Sequence, residues 1–397
     1  MRLLLVLLLA VGARASEETL RTFDAMKGHV ERHIFKGALD GIDWDALCRR
    51  YRPLADRAKP GLELHGVLNR LLAELKVSHA TILEAEVYGV LWNEVFGKPA
   101  PTWGFMLEET VPGHLFVRTL YEGGPAAEAG VLFGDRVVKI EGEDALRSKR
   151  LLPAGYDAIS PGPRKLVVST TGHVEMRLTI QRTADAASQR EVVVKRRTMS
   201  GLDAMRKSVR VIQRDGFKLG TLHMWYCQPG IEKVVRAALD GPLQGCDAFV
   251  CDLRGRGGYT QLGNLVVSQL QATGKPLVFL IDGLTRSAKE VVAWRIRKDK
   301  TGRLVGTPTA GAVLSASCYG LPDGSYVMLP VYSGPVYGHT FEGNPTEPHD
   351  EVNLVVPYAA GKDTVFEKGC AVAVARLERS GRGIKGWPTL AGALGQK

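Results

Sequence analysis

The sequence predicts a multidomain α+β protein with a helical N-terminal region, a β-rich middle and an α/β C-terminal half. Three observations carry that expectation. Before about residue 98, GIDWDALCRRYRPLADRA and LHGVLNRLLAELKVSHATI space their apolar residues three and four apart, as amphipathic helices do. From Trp103 the texture changes to short β-like runs, HLFVRTLY, DRVVKIEG, KLVVST and EMRLTIQR. Beyond about Gly201, strand-like and helix-like apolar runs alternate, which implies a buried, largely parallel sheet under helical cover. The implied boundaries are a leader over 1–15, a helical region over 16–100, a β domain over 101–198 and a C-terminal domain over 199–397.

Bulk properties narrow the function classes. The chain has 397 residues, long enough for two or three cores, and its 45% apolar and 24% charged content is ordinary for a globular protein. Net charge is +10, with basic knots at 194–210 and 295–303. No nucleic-acid motif accompanies them, so a solvated basic face is the reading and no nucleic-acid partner is expected. Six cysteines show no metal spacing and are too sparse for a disulfide scaffold. The start, MRLLLVLLLAVGARASEE, pairs one arginine with a short leucine-rich run and small residues at Ala13 and Ala15. It reads as a signal peptide cleaved before Ser16, which predicts export to the periplasm or the extracellular space. The mature chain is expected to carry no membrane span, because no other stretch is apolar enough.

Each segment then follows in order. GKPAPTW breaks the helical pattern with two prolines and reads as a linker. EGGPAAEAGVLFGDRVVKIEGEDAL gives a Gly-Gly-Pro turn, a short alanine-rich helix, a glycine cap and an alternating strand. This segment resembles a PDZ domain. The resemblance implies capture of an extended peptide by strand addition, with WGFML as the carboxylate-binding loop, so Gly104, Phe105, Met106 and Leu107 are its candidate peptide-binding residues. In the last half, FKLGTLHMWYC, DAFVCDLRG and PLVFLIDG are the strands, and GIEKVVRAALDG, TQLGNLVVSQLQA and SAKEVVAWRIRK the helices.

Chemistry concentrates where strands give way to glycines and helices. DGLTRSAKE, residues 282–290, puts Ser287 at a helix start, where the dipole and free amides favour developing negative charge. An ordinary N-cap is the competing reading of that serine. DLRGRGGY, residues 252–259, ends a strand in glycines that let backbone approach a ligand and offer N–H donors.

DLRGRGG on a strand, then TRSAKE, then RLVGTPTAG together resemble the C-terminal processing and tricorn-type serine peptidases. The PDZ-like and helical segments fit that architecture, so the resemblance spans nearly the whole mature chain. It implies a spiral α/β catalytic domain of the ClpP/crotonase kind, Ser287 as nucleophile, and Gly258 with Ala288 as oxyanion donors. The processing branch uses a lysine that aligns here with Ala312, so that dyad is absent. Lys289 lies two residues from the serine on a helix, points elsewhere, and is expected to face solvent. The tricorn-like branch instead uses a histidine base oriented by a glutamate. That implies His223, on the strand before the glycine cluster, and Glu342 in FEGNPTEPHD, with Glu347 as the fallback. Pro345 and His349 depart from the family pattern there.

His79, in KVSHA, is read as structural. HVERH, residues 29–33, has two histidines at i,i+4 but no HExxH order, so it predicts no metal site. Tyr259 departs from a common glycine and is expected to narrow the substrate cleft. The expectation is an exported serine endopeptidase with a Ser-His-Glu triad, requiring no cofactor and taking protein or peptide substrates, through their C-termini, from the PDZ-like domain. The alternative is an inactive peptide-binding protein of the same fold.

Overall fold

The computed structural model describes residues 2–156 and 162–380. Helix α1 (Arg2–His33) runs across the expected cleavage point, and α2 (Trp44–Arg57) and α3 (Leu62–Ala73) fold back against it. Asp43 starts α2 by accepting the Ala46 N–H, satisfying one amide the helix leaves free. Strand β1 (Thr81–Leu83) and helix α4 (Ala85–Val95) follow. No helix among the described residues is long and apolar enough to cross a membrane.

The middle of the chain is one eight-stranded sheet. Its strands are β2 (Phe105–Val111), β3 (His114–Leu120), β4 (Arg136–Ile140), β5 (Leu151–Pro153), β6 (Lys165–Val168), β7 (Glu175–Gln181), β8 (Gln189–Lys195) and the two residues 143–144 beside β4. In space the order is β8-β7-β4-β3-β2-β6-β5. The chain enters and leaves through a two-stranded ribbon in which Ala100–Thr102 pairs antiparallel with Arg197–Met199.

The C-terminal half builds a six-stranded sheet from β9 (Arg210–Arg214), β10 (Phe217–His223), β11 (Ala248–Asp252), β12 (Leu277–Ile281), β13 (Arg303–Gly306) and Asp350–Glu351, in that order. The first pair is antiparallel and the rest parallel, as the strand-helix alternation requires. Helices α5 (Ile231–Asp240), α6 (Thr260–Gln271) and α7 (Ala288–Lys298) cover one face. Helix α8 (Thr364–Arg379) covers the other. Both faces of β11 and β12 are buried, which is why those strands read as continuous apolar runs.

A third sheet joins the ends of the molecule. Strand β14 (Ser315–Gly320) pairs with β15 (Tyr326–Tyr332), whose other edge takes β1, with Thr81 opposite Met328. The helical region and the C-terminal half therefore share one core, in which Leu68 and Leu72 pack with Val327 and Leu329. The turn before β1, residues 76–80, is carried to the C-terminal domain by that pairing.

Candidate active site

Ser287 precedes the first residue of α7 with φ 56° and ψ −129°. That region costs a side-chain-bearing residue roughly 1–3 kcal/mol and marks sites where geometry outranks comfort. Its side chain makes no capping hydrogen bond, so the serine holds the cap position without doing a cap's work. The peptide is fixed on both sides: Ser287 N–H donates to Ala312 O at 2.9 Å, and Glu290 N–H donates to Ser287 O at 3.0 Å. Glu290 itself is fully buried and accepts from Thr309 Oγ1 (2.6 Å), Gly311 N (2.7 Å) and Ala312 N (2.7 Å). Burial pushes its pKa up to about 7 against those three donors. Glu290 thus sets the loop 309–313 that Ser287 leans on.

The glycine cluster lies directly against the serine. A Cβ on Gly257 would stand 2.7 Å from Ser287 Cβ and 2.8 Å from Ala288 N, so only glycine permits this approach. Cys227 forms a parallel bridge to Gly258, using Cys227 N to Gly257 O (2.8 Å) and Tyr259 N to Cys227 O (2.6 Å). In that pattern the N–H of Gly258 itself turns away from Cys227. Gly258, Gly257 and Ser287 line one cavity of about 310 Å³. Ala288, as the first helical residue, has an N–H without an intrahelical acceptor.

The same cavity is lined by His79, which the sequence reading took as structural. His79 sits in a tight turn with φ 62°. Its Nδ1 is 2.8 Å from Ser78 Oγ, and Ser78 Oγ donates to Glu342 Oε2 at 2.8 Å. A carboxylate only accepts, so the single Ser78 hydroxyl proton goes to Glu342 and its lone pair faces the imidazole. His79 therefore carries its proton on Nδ1 and leaves Nε2 as the basic nitrogen. Glu342 is held in turn by Ser78 N (2.7 Å) and Val313 N (3.1 Å).

His223 is elsewhere, contrary to its expected meeting with Ser287. It lines a different cavity, of about 910 Å³, between the β domain and the end of the parallel sheet. Its Nδ1 is 3.3 Å from Glu122 Oε1 and its Nε2 is 3.2 Å from Arg254 O. The ring stacks on Trp225 at 3.7 Å. The side chain at the end of β10 turns toward the β domain. Lys289 also departs from expectation: it is fully buried, and its Nζ donates to Trp225 O (2.8 Å) and Arg254 O (3.3 Å). The first turn of α7 lies beneath the strand-end loops, which cover the face the sequence reading assigned to solvent. Glu347, the fallback, gives its main-chain carbonyl to Arg297 at 3.1 Å.

In the β domain, Gly104 has φ 79°, and its N–H donates to Thr102 Oγ1 at 2.9 Å while its carbonyl accepts from Tyr121 N at 2.8 Å. Phe105 is opposite Leu120 in a non-hydrogen-bonded pair, so its peptide groups face the outer edge of β2. Leu107 is fully buried, paired with Val117 on one side and Leu166 of β6 on the other. Strand addition at Leu107 is therefore pre-empted by the chain's own β6. Phe105 and Met106 line an apolar cavity that also reaches Tyr226 and Arg256. Those two residues line the Ser287 cavity as well. Tyr259 is 38% exposed beside that cavity's glycines.

The cysteines among the described residues are all free thiols, and five of the six are buried. No cluster of potential metal ligands occurs among the described residues.

The chain is similar to known proteins in two regions. Residues 259–352 match the model of peptidase family S41, and residues 17–73 match the tricorn protease C1 domain. Two parts of the chain are thus similar to S41 and tricorn-type serine peptidases. It is 25% identical over 409 residues to tricorn protease homolog 1 of Streptomyces coelicolor, covering 91% of this chain and 36% of the relative. It is 24% identical over 320 residues to the carboxyl-terminal-processing protease of Synechocystis, covering 73% of this chain and 70% of the relative. The chain thus spans about a third of the length of the tricorn homologues it matches. In fold it is similar to a putative S41 protease of Bacteroides fragilis, with TM-score 0.51, 16% identity, and 90% and 97% of the two chains covered.

Proposed function

We propose that this protein is an S41-type peptidase that cleaves peptide bonds in protein chains, with Ser287 as nucleophile and His79, not His223, as its base. The observation that carries this is the Glu342–Ser78–His79 chain of hydrogen bonds, ending in the cavity that Ser287 lines. His79 Nε2 takes the Ser287 proton as Oγ attacks the carbonyl carbon, and later gives it to the leaving amine. The imidazolium formed in between is stabilised through Ser78 by the Glu342 carboxylate, which fills the orienting role of a triad acid at one remove. The amides of Gly258 and Ala288 receive the oxyanion, a donor pair of the kind worth roughly 3–4 kcal/mol each. Water then hydrolyses the acyl-enzyme by the same route.

Apolar walls, among them Leu91, Trp92, Leu314 and Met328, support an apolar substrate side chain beside the reacting bond. The β domain is read as PDZ-like, delivering an extended chain along the edge near Phe105. Residues 1–15 are read as an export leader, and sequencing the mature N-terminus tests that separately.

The deciding experiment is peptide hydrolysis by Ser287→Ala, His79→Ala and His223→Ala. The first two should lose activity together, by about 10³-fold or more, and the third by far less. Equal loss for His223→Ala with activity retained in His79→Ala would overturn the assignment. Absence of fluorophosphonate labelling at Ser287 would favour a peptide-binding protein.

A further inference from the structure

The main-chain carbonyl of Arg254 opens the glycine loop that ends at Gly257 and Gly258, and it has two donors. His223 Nε2 approaches it at 3.2 Å and Lys289 Nζ at 3.3 Å. Lys289 also holds Trp225 O, two residues before the Cys227 that bridges to Gly258. One ammonium therefore ties together the two segments whose alignment sets the Gly258 N–H. A Cβ on Gly255 would stand 3.7 Å from that nitrogen, so the loop lies directly on it.

His223 extends the arrangement outward. Both its ring nitrogens face oxygens that can only accept, the Glu122 carboxylate and the Arg254 carbonyl. A neutral imidazole satisfies one of them; an imidazolium satisfies both. Glu122 belongs to the turn after β3 in the β domain, and its other oxygen accepts Trp225 Nε1 at 2.7 Å. Arg254 is pinned through its side chain to Asp252 and to Asp363, the N-cap of α8.

We propose that Lys289 and protonated His223 are positioning residues that hold the oxyanion loop through the Arg254 carbonyl, and that Glu122 makes the seated β domain part of this support. The proposal rests on the reading of Gly258 as an oxyanion donor. Neither residue reaches the reacting atoms; each acts through the loop. Both supports weaken as pH rises. His223 is opposed by burial, yet Asp252 and Glu122 hold its pKa above the ordinary value, against the nearby charge of Lys289. Lys289 is pulled down to about 8 by burial, against Cys227, Asp252, Cys251 and Asp282. Lys289 is charged at neutral pH and loses its proton on the alkaline side, and the two acceptors around His223 favour its imidazolium over the neutral ring.

The test is steady-state kinetics of Lys289→Met, His223→Gln and Glu122→Gln, as full chains, across pH 6 to 10. A displaced oxyanion donor should lower kcat by about 10- to 100-fold with KM unchanged, because the loop is needed for the transition state. The alkaline decline of kcat should be shallower in Lys289→Met and His223→Gln, which have lost one titrating support, and should begin at lower pH in Glu122→Gln. Should Lys289→Met not fold, the two cavity-facing variants carry the test alone. Unchanged kcat and pH profile in the variants that fold, with Ser287→Ala and His79→Ala inactive, overturns this inference and leaves the peptidase reading standing. Activity surviving in Ser287→Ala or His79→Ala overturns the reading itself.

Discussion

Ser78→Ala removes one hydroxyl from the proposed relay and little else. The main-chain N–H of Ser78 still reaches Glu342 Oε1 at 2.7 Å, and Val313 N still reaches Oε2 at 3.1 Å, so the carboxylate and the turn stay in place. What disappears is the pair of 2.8 Å contacts that carry charge from the imidazole to Glu342. A hydrogen bond to a charged group contributes about 1.5–3 kcal/mol. Here it strengthens when His79 becomes an imidazolium, so its loss falls on the transition state. At about 1.4 kcal/mol per decade, kcat should drop by roughly 10- to 150-fold with KM held. The assay is hydrolysis of a fluorogenic apolar peptide, with active enzyme counted by fluorophosphonate titration. Wild-type kcat in Ser78→Ala would remove Ser78 from the relay. A loss as deep as that of Ser287→Ala would give it a larger part than orienting and charge transfer.

Two further outcomes concern stability. Because Ser287 sits at φ 56°, ψ −129°, Ser287→Gly relieves strain that Ser287→Ala retains; after the entropy glycine adds to the unfolded chain, it should be the more stable inactive variant by about 1 kcal/mol in urea unfolding, and the reverse order would refute the strain. Lys289 has a folded pKa of about 8 against an ordinary 10.5. Between those values the unfolded chain binds more protons, so wild-type stability should rise with pH by up to about 3 kcal/mol through this group. Lys289→Met should lack that rise, and an unchanged slope between pH 8 and 10 would show that the ammonium is not buried as described.

Much of the fold was legible because its signals are local. The glycine cluster, the strand before it and the serine that opens SAKE each announce a strand end in a buried parallel sheet, and the structure places all three together. Glu342 is implied by resemblance alone. The proposed base is not legible in the sequence, because its placement depends on a pairing across the whole chain: β1 docks on β15, with Thr81 opposite Met328. Nothing within KVSHATIL states that partner. The available signal was a Ser-His pair between a helix end and a short apolar strand, in a stretch with no reason to bury polar groups. His223 is what the resemblance implies, since it calls for a histidine on the strand before the glycines. Sequence cannot say toward which of two neighbouring cavities a strand-end side chain turns. Lys289 failed for a related reason, since helical spacing gives direction about the axis and not what covers it. Leu107 was misjudged because a second strand, β6, fills the edge that strand addition would need.

The distribution of these groups has a mechanical consequence. The proposed base comes from the N-terminal turn, the nucleophile from the head of α7 and the orienting carboxylate from a loop after β15. Each lies on a different segment, joined by pairings that form only when all are folded. Glu94 of α4 reinforces the same junction: it is buried, and accepts Tyr121 Oη of the β domain at 2.8 Å and Gly201 N of the C-terminal domain at 2.9 Å. Burial raises its pKa to about 7 despite those donors, so the junction bears a cost that its hydrogen bonds must offset. The proposed site therefore needs all of these segments folded together. Partial unfolding of the helical region should displace His79 before it opens the sheet beneath Ser287, because β1 is a three-residue strand while β11 and β12 are five-residue strands in the middle of the six-stranded sheet. Loss of activity should therefore precede global unfolding, and the strain stored at Ser287 is held by a scaffold that outlasts the relay.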